Sequence, residues 1–238
     1  MIQVSAQTLK TRTLPQLNKS IIPTPSPKIY LYVRGGIGLR LPDANCCDQA
    51  EFNVTILPIK GNLPDLQNIR VTINNVIIPQ KHPGEFYSDI DVKDLRDPNI
   101  VTFLHRRSAD SQVYKTIATG TAGFKPVTLL SPSKGQVFNL HELAFGEGIP
   151  VSWSPSPDEF EVHLFREEPG QFILLKKYGP FKNQNSVKIT KLLLMPNNQY
   201  KIIVIQRLSI LKLSGNFYKE SKIIQVVHHE RYFSTHLN

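Results

Sequence analysis

Several short patterns in this chain carry residue types capable of chemistry. Gly35-Gly36-Ile37-Gly38 follows an apolar run, the setting of a nucleotide-binding loop. A dinucleotide site needs a third glycine opening a helix, with an acidic residue beyond it. Here Leu41 stands at the third-glycine position and Pro42 follows, so the segment reads as a flexible turn. His228-His229-Glu230, with His236, offers metal-ligand types. Neighbouring side chains on a strand point to opposite faces, so His228 and His229 do not easily share one ion. The segment reads as part of a solvated chain end. Cys46 or Cys47 could act as a nucleophile with His82 or His105 as base, but that needs a base in contact and a third group to orient it. Asn45-Cys46-Cys47-Asp48 supplies no local activator, which leaves weak metal capture or intermolecular disulfides as its uses. The carboxylate pairs Asp89/Asp91, Glu159/Glu161 and Glu167/Glu168 read as solubilising surface charge; a glycosidase needs two carboxyls opposed across a cleft. No catalytic residue, no cofactor and no metal site is expected.

The 238 residues give room for one large domain or two of about 100 residues each. A hydrophobic content of 40% with 20% charged residues is that of a folded chain. The net charge of +9 is spread evenly: residues 1–125 hold 15 Lys+Arg against 10 Asp+Glu, and residues 126–238 hold 13 against 9. That even spread, without a basic block, argues against a nucleic-acid partner. The two cysteines are adjacent, with Cα atoms about 3.8 Å apart, which is too close for an unstrained bridge. The folded parts must therefore rest on apolar packing. No apolar run is long enough to span a membrane as a helix. Met1–Gln16 lacks the apolar segment of a signal peptide, although Val4-Ser5-Ala6 has the small residues of a cleavage site. An extracellular or cell-envelope location is the expectation. Two glycosylation sequons, at Asn18 and Asn53, are about as many as chance supplies among the asparagines.

The elements that would position these residues are strands. Residues 1–27 are polar and end in alternating prolines, which favour an extended, solvated tail. From Lys28 short apolar runs alternate with turn residues. Ile29–Val33 is the first run. Phe52, Val54 and Ile56 then share one parity, as do Ile69, Val71 and Ile73, and Phe86, Ser88 and Ile90. Ile100–His105 and Val113–Ala118 follow. A period of two at this spacing predicts a sandwich of about seven strands over 28–124. Thr119-Gly120-Thr121-Ala122-Gly123 breaks the pattern and marks a boundary. A second sandwich is expected over 126–230, with strands at Val127–Leu130, Ile149–Ser154, Phe160–Arg166, Phe172–Tyr178, Ser186–Lys191, Gln199–Leu208 and Lys222–His228, and a C-terminal tail over 231–238. The fold class is all-β, two tandem immunoglobulin-like β-sandwiches.

Val151-Ser152-Trp153-Ser154-Pro155, Phe160-Glu161-Val162 and the run Leu194-x-Pro196-x-x-x-Tyr200-x-Ile202-x-Val204 together resemble a fibronectin type III domain. The resemblance covers about 100 residues. It implies that Trp153 fills the core between two sheets and that the Tyr200 hydroxyl bonds back to the backbone at the corner into the sixth strand. The departures from the family are a long lead-in at Asn139–Gly148 and a long stretch between the sixth and seventh strands. Residues 28–124 resemble an immunoglobulin-like module only loosely, through Val71-x-Ile73-Asn74-Asn75 and Gly84-x-Phe86-Tyr87.

Charge is segregated within the second module: residues 142–168 hold seven acidic residues and one basic, and residues 176–222 hold ten basic and one acidic. If Tyr200, Ile202 and Val204 face inward, Lys201, Ile203, Ile205 and Arg207 face outward, and Phe165 joins them by the parity of its own strand. An outward apolar row with a basic rim is a candidate contact face. The apolar run continues through Ile210, Leu211 and Leu213 to Ser214-Gly215-Asn216, which predicts a hairpin projecting from the sandwich, open to a partner by strand addition or to self-association. The competing expectation is that this arm folds back onto the first module. The sequence thus points to a non-enzymatic binding, adhesion or scaffold protein with a protein partner. The alternative is an accessory pair that binds carbohydrate or another envelope polymer.

Overall fold

The computed structural model describes residues 30–41, 49–57, 66–108, 110–143, 147–208 and 210–237. The strands in chain order are β1 (Tyr32–Leu41), β2 (Gln49–Leu57), β3 (Ile69–Ile73), β4 (Val76–Ile78), β5 (Gln80–His82), β6 (Glu85–Asp91), β7 (Asn99–Arg106), β8 (Tyr114–Ala122) and β9 (Leu129–Ser131). They continue with β10 (Gln136–Asn139), β11 (Gly148–Trp153), β12 (Glu159–Glu168), β13 (Gln171–Lys182), β14 (Ser186–Thr190), β15 (Gln199–Arg207), β16 (Lys212–Gly215) and β17 (Lys222–His236). The helical turns among the described residues are short 3₁₀ pieces. The all-β reading holds.

Alternation sets the strands. Phe52, Val54 and Ile56 are buried, as are Ile69, Val71 and Ile73 and their partners Val101 and Phe103 across β3 and β7. They form the first core, between the sheet β16-β8-β7-β3-β4 and one half of a nine-stranded sheet, β17-β1-β2-β6-β5. The other half, β13-β12-β15-β17 with β10 on β17, faces the sheet β14-β11-β9 across the second core. Trp153 fills that core with its ring 4.9 Å from Phe160. Tyr200 is fully buried and stacks on Phe233 at 5.1 Å. Its hydroxyl accepts the Met195 N–H at 2.6 Å, so the corner expected from the Leu-x-Pro-x-x-x-Tyr run is formed.

A single strand joins the two halves. The first part of β17 runs parallel to β1, pairing Arg34 with Lys222 through to Leu41 with His229. Its second part runs antiparallel to β15, pairing Arg207 with Val226 through to Gln199 with Ser234. A small third core of Leu39, Ala50, Phe124, Leu208 and Val227 fills the junction.

Several sequence expectations are corrected here. Gly35-Gly36-Ile37-Gly38 is no turn but lies inside β1, where the β2 backbone comes so close that a Cβ on Gly35 would sit 2.2 Å from the Asn53 carbonyl oxygen. The break at Thr119–Gly123 is largely strand, since β8 runs to Ala122. Gly120 lies beneath Leu211 and Leu213, and a Cβ there would push their terminal methyls aside, at 3.1 and 2.8 Å. Within the expected tail over 231–238, residues 231–236 continue β17 to His236, with Phe233 and Thr235 buried. The arm at 208–215 does not project: β16 pairs with β8, and Leu211 belongs to the first core. An apolar segment that can reach an open core is more stable inside it than in water. The division into 28–124 and 126–230 thus leaves β16 and the first part of β17 outside the sandwich they pair with.

Candidate interaction face

The outer surface of the nine-stranded sheet follows from the inner one. Phe160, Val162 and Leu164 on β12 and Tyr200, Ile202 and Val204 on β15 are buried, so the residues between them face out. Pairing across β12, β15 and β17 arranges these in three rows: Glu161, Ile205 and His228; His163, Ile203 and Glu230; Phe165, Lys201 and Tyr232. Arg40 of β1 lies opposite His228 and extends the first row into the other half of the sheet.

Each row has its own chemistry. In the third, Lys201 Nζ sits 5.1 Å from the Phe165 ring centre and 4.6 Å from that of Phe172, and Phe172 meets Tyr232 edge-on at 5.7 Å. The ammonium is held by ring faces, an attraction that strengthens when water is excluded. In the first two, Arg207 Nη2 donates to Glu161 at 2.8 Å, His163 Nε2 lies 3.2 Å from the other Glu161 oxygen, and Arg40 Nε and Nη2 both reach Glu230 Oε1, at 2.9 and 2.8 Å. Burial alone would raise the Glu161 pKa, but hydrogen bonds from Arg207 and His163 and their charges outweigh it and hold the carboxyl below its ordinary value. Burial lowers the His228 pKa against the pull of Glu230. On the opposite side of β17, His229 is enclosed beside Gln206, and burial, reinforced by His228 and Arg231, lowers its pKa to about 4.

Of the residues singled out from sequence, Phe165, Lys201, Ile203 and Ile205 share this face, half-buried, with Arg207 exposed at its rim. Ile210, Leu211 and Leu213 do not join it: Ile210 is exposed elsewhere, Leu211 is buried in the first core and Leu213 packs against that core. Phe172, Tyr232, Glu230, His163 and Arg40 were missing from the expected face. Extending the alternation of β17 past Glu230 would have found Tyr232. The bulges on β13 hide Phe172 from any parity count. His82 is exposed on β5 and His105 half-buried on β7, whereas Cys46 and Cys47 lie outside the described residues.

No protein-family model matches the sequence, and no curated protein matches it. Solved structures give looser likenesses. The FN1–FN3 domains of chicken CNTN1 match at 14% identity and a TM-score of 0.29, over 85% of this chain and 68% of that one. A two-domain fibronectin type III segment from chicken tenascin matches at 12% and 0.23, over 78% and 99%. A trypsin-activated α2-macroglobulin from Escherichia coli matches at 9% and 0.25, over 86% of this chain and 15% of that one. The second module has the β-sandwich features that the fibronectin type III resemblance implies. That statement rests on its two sheets, its buried Trp153 and the Tyr200 corner, because superpositions this loose carry no functional information. Among the described residues, no helix is long and apolar enough to cross a membrane.

Proposed function

We propose that this chain is a non-catalytic protein-binding scaffold or adhesion module pair, and that the outer face of its nine-stranded sheet is the contact surface. The carrying observation is the three-row face, which combines half-exposed Phe165, Phe172, Tyr232, Ile203 and Ile205 with charges already paired inside the sheet. Aromatic and arginine side chains dominate binding energy in protein interfaces. Charges that already have partners are cheaper to desolvate than free ones. Because β17 is common to both halves, a partner would meet one stiff surface rather than two hinged ones. The carbohydrate-binding alternative has less support, since Trp153, the ring best suited to a sugar platform, is fully buried.

A photo-crosslinking residue at position 203, in cells that make the protein, tests the reading. Discrete protein adducts are expected there and not from the same probe at Ile77, exposed on β4 of the five-stranded sheet. The double variant Phe165→Ser/Ile203→Ser should lose the partner at an unchanged melting temperature. Adducts absent at 203, or equal at both positions, would overturn it. The proposal extends to a cell-surface or envelope location, which fractionation of the same cells checks.

A further inference from the structure

The edges of the three sheets are unequal. Most are short: β4, β5 and β9 have three residues each, β10 and β16 four, and β14 five. Short edges are a common protection against unwanted strand pairing. β13 is different. It has twelve residues, pairs with β12 on one side and, among the described residues, ends the nine-stranded sheet on the other. A bulge at Leu175 separates two stretches that keep register with β12, Gln171–Leu174 and Lys176–Tyr178. Pro180, which has no N–H, closes the usable edge.

We infer that β13 is a docking edge for an extended, acidic segment of a partner protein, which adds as a further strand along Gln171–Tyr178. The inference rests on the protein-binding reading and names the partner's chemistry. Backbone groups on the open side of β13 supply the ladder, while side chains select the occupant. Lys176 and Lys177 are exposed and, among the described residues, neither is ion-paired with a carboxylate. Lys182 lies 3.8 Å from Glu159. Leu174 is exposed and Phe172 borders the outer face, so the alternate residues of an added strand beside these two would meet apolar neighbours. Lys176 lies opposite inward-facing Leu164 and Lys177 opposite outward-facing His163, so the two take opposite faces, and two adjacent acidic residues in the partner would lie one against each. A second copy of this chain fits less well, since it carries a net +9 and brings the same lysines to the joint. A polysaccharide offers no N–H and C=O ladder.

The test uses the whole chain and blocked, fluorescent peptides of about ten residues, a length that spans such an edge. One sets two alternating Val residues ahead of a run of Glu, one has Lys in place of the Glu, and a third is the Glu-Val peptide with alternate amides methylated. Anisotropy should show binding of the Glu-Val peptide alone. Lys176→Glu/Lys177→Glu should weaken it by roughly tenfold or more, as expected when attraction becomes repulsion, at an unchanged melting temperature. Hydrogen exchange at residues 171–178 should slow in the complex. No binding of the Glu-Val peptide, or binding that survives methylation or charge reversal, overturns the inference. So does a dimer in sedimentation that the lysine variant abolishes. Ile203→Ser/Ile205→Ser, on β15 beyond β12, should leave peptide binding intact; loss in that variant alone overturns the edge site while leaving the outer-face proposal standing.

Discussion

Trp153 and Tyr200 are both fully buried but hold the second core differently. The indole packs on Phe160, and its N–H has no hydrogen-bond partner among the described residues. Tyr200 satisfies its hydroxyl at the Met195 backbone, whose carbonyl also accepts Thr235 Oγ1 at 2.5 Å. Trp153→Ala should therefore cost about 3–5 kcal/mol, a large cavity penalty, and Trp153→Phe distinctly less, because it also removes the orphaned donor. Tyr200→Phe should cost about 0.5–1.5 kcal/mol through the lost corner bond. Urea unfolding of the three variants checks that order. His229 makes stability depend on pH. Its folded pKa of about 4 lies below the ordinary 6.5, so between those values the unfolded chain takes up a proton that the folded chain refuses. Stability is therefore whole above pH 6.5 and falls as the pH drops toward 4, by up to about 3 kcal/mol. The lowered His228 acts in the same direction. Glu161, also held low, adds a loss as the pH falls from 4.5 through its folded value. Melting temperatures across this range should decline for the native chain and decline less for His229→Asn; parallel curves would contradict the assignment.

Among the elements, the connection between the modules is the one that sequence misplaces most. Polar residues in strands read as surface, yet Gln206, Gln225 and Asn99 are buried. Gln225 Nε2 donates to the Gly123 carbonyl at 3.0 Å, Gln206 Nε2 donates to that of Lys125 at 3.1 Å, and Val127 N–H donates to Gln206 Oε1 at 3.0 Å. Asp97 Oδ1 accepts the Phe124 N–H at 2.8 Å. The segment 123–127 is bound on both sides rather than hinged. Limited proteolysis should spare it in the native chain. Gln225→Ala leaves the Gly123 carbonyl and the Asn99 amide short of partners, at about 1–3 kcal/mol, and should open a cut there; a native chain cut early at 123–127 would refute the staple. Faces were legible because a period of two states which side a residue takes, as at Phe52, Val54 and Ile56 or at Ile203 and Ile205. Partners were not. Nothing in the alternation of β1 says that its neighbour lies nearly two hundred residues away, and nothing in Leu211 says which of two cores it enters. The site was half legible for the same reason: parity placed Phe165 and Lys201, but a bulge displaced Phe172 and a misread tail concealed Tyr232 and Glu230.

For the whole molecule, β17 makes the two sandwiches unequal. The second owns all of its strands within 126–236, whereas the first borrows β16 and the first part of β17. A fragment ending near residue 124 would lose Leu211 and Ile223 from the first core and Leu208 and Val227 from the junction. At about 1.5–3 kcal/mol for each buried side chain, the loss is roughly 6–12 kcal/mol, comparable with the whole stability of a domain, about 5–15 kcal/mol. Removing β17 also bares the long β1 edge. The fragment 28–124 should therefore be unfolded or aggregated, while 126–238 should fold alone with its segment 208–225 loose. A synthetic peptide covering 208–230, added to the first fragment, should restore its strand signal in circular dichroism. The intact chain should unfold in one transition, with Trp153 fluorescence and far-UV signal coincident. A sharp, independent melting transition for 28–124 without the peptide would show that the borrowed strands are dispensable, and that the nine-stranded sheet joins two domains each able to stand without the other.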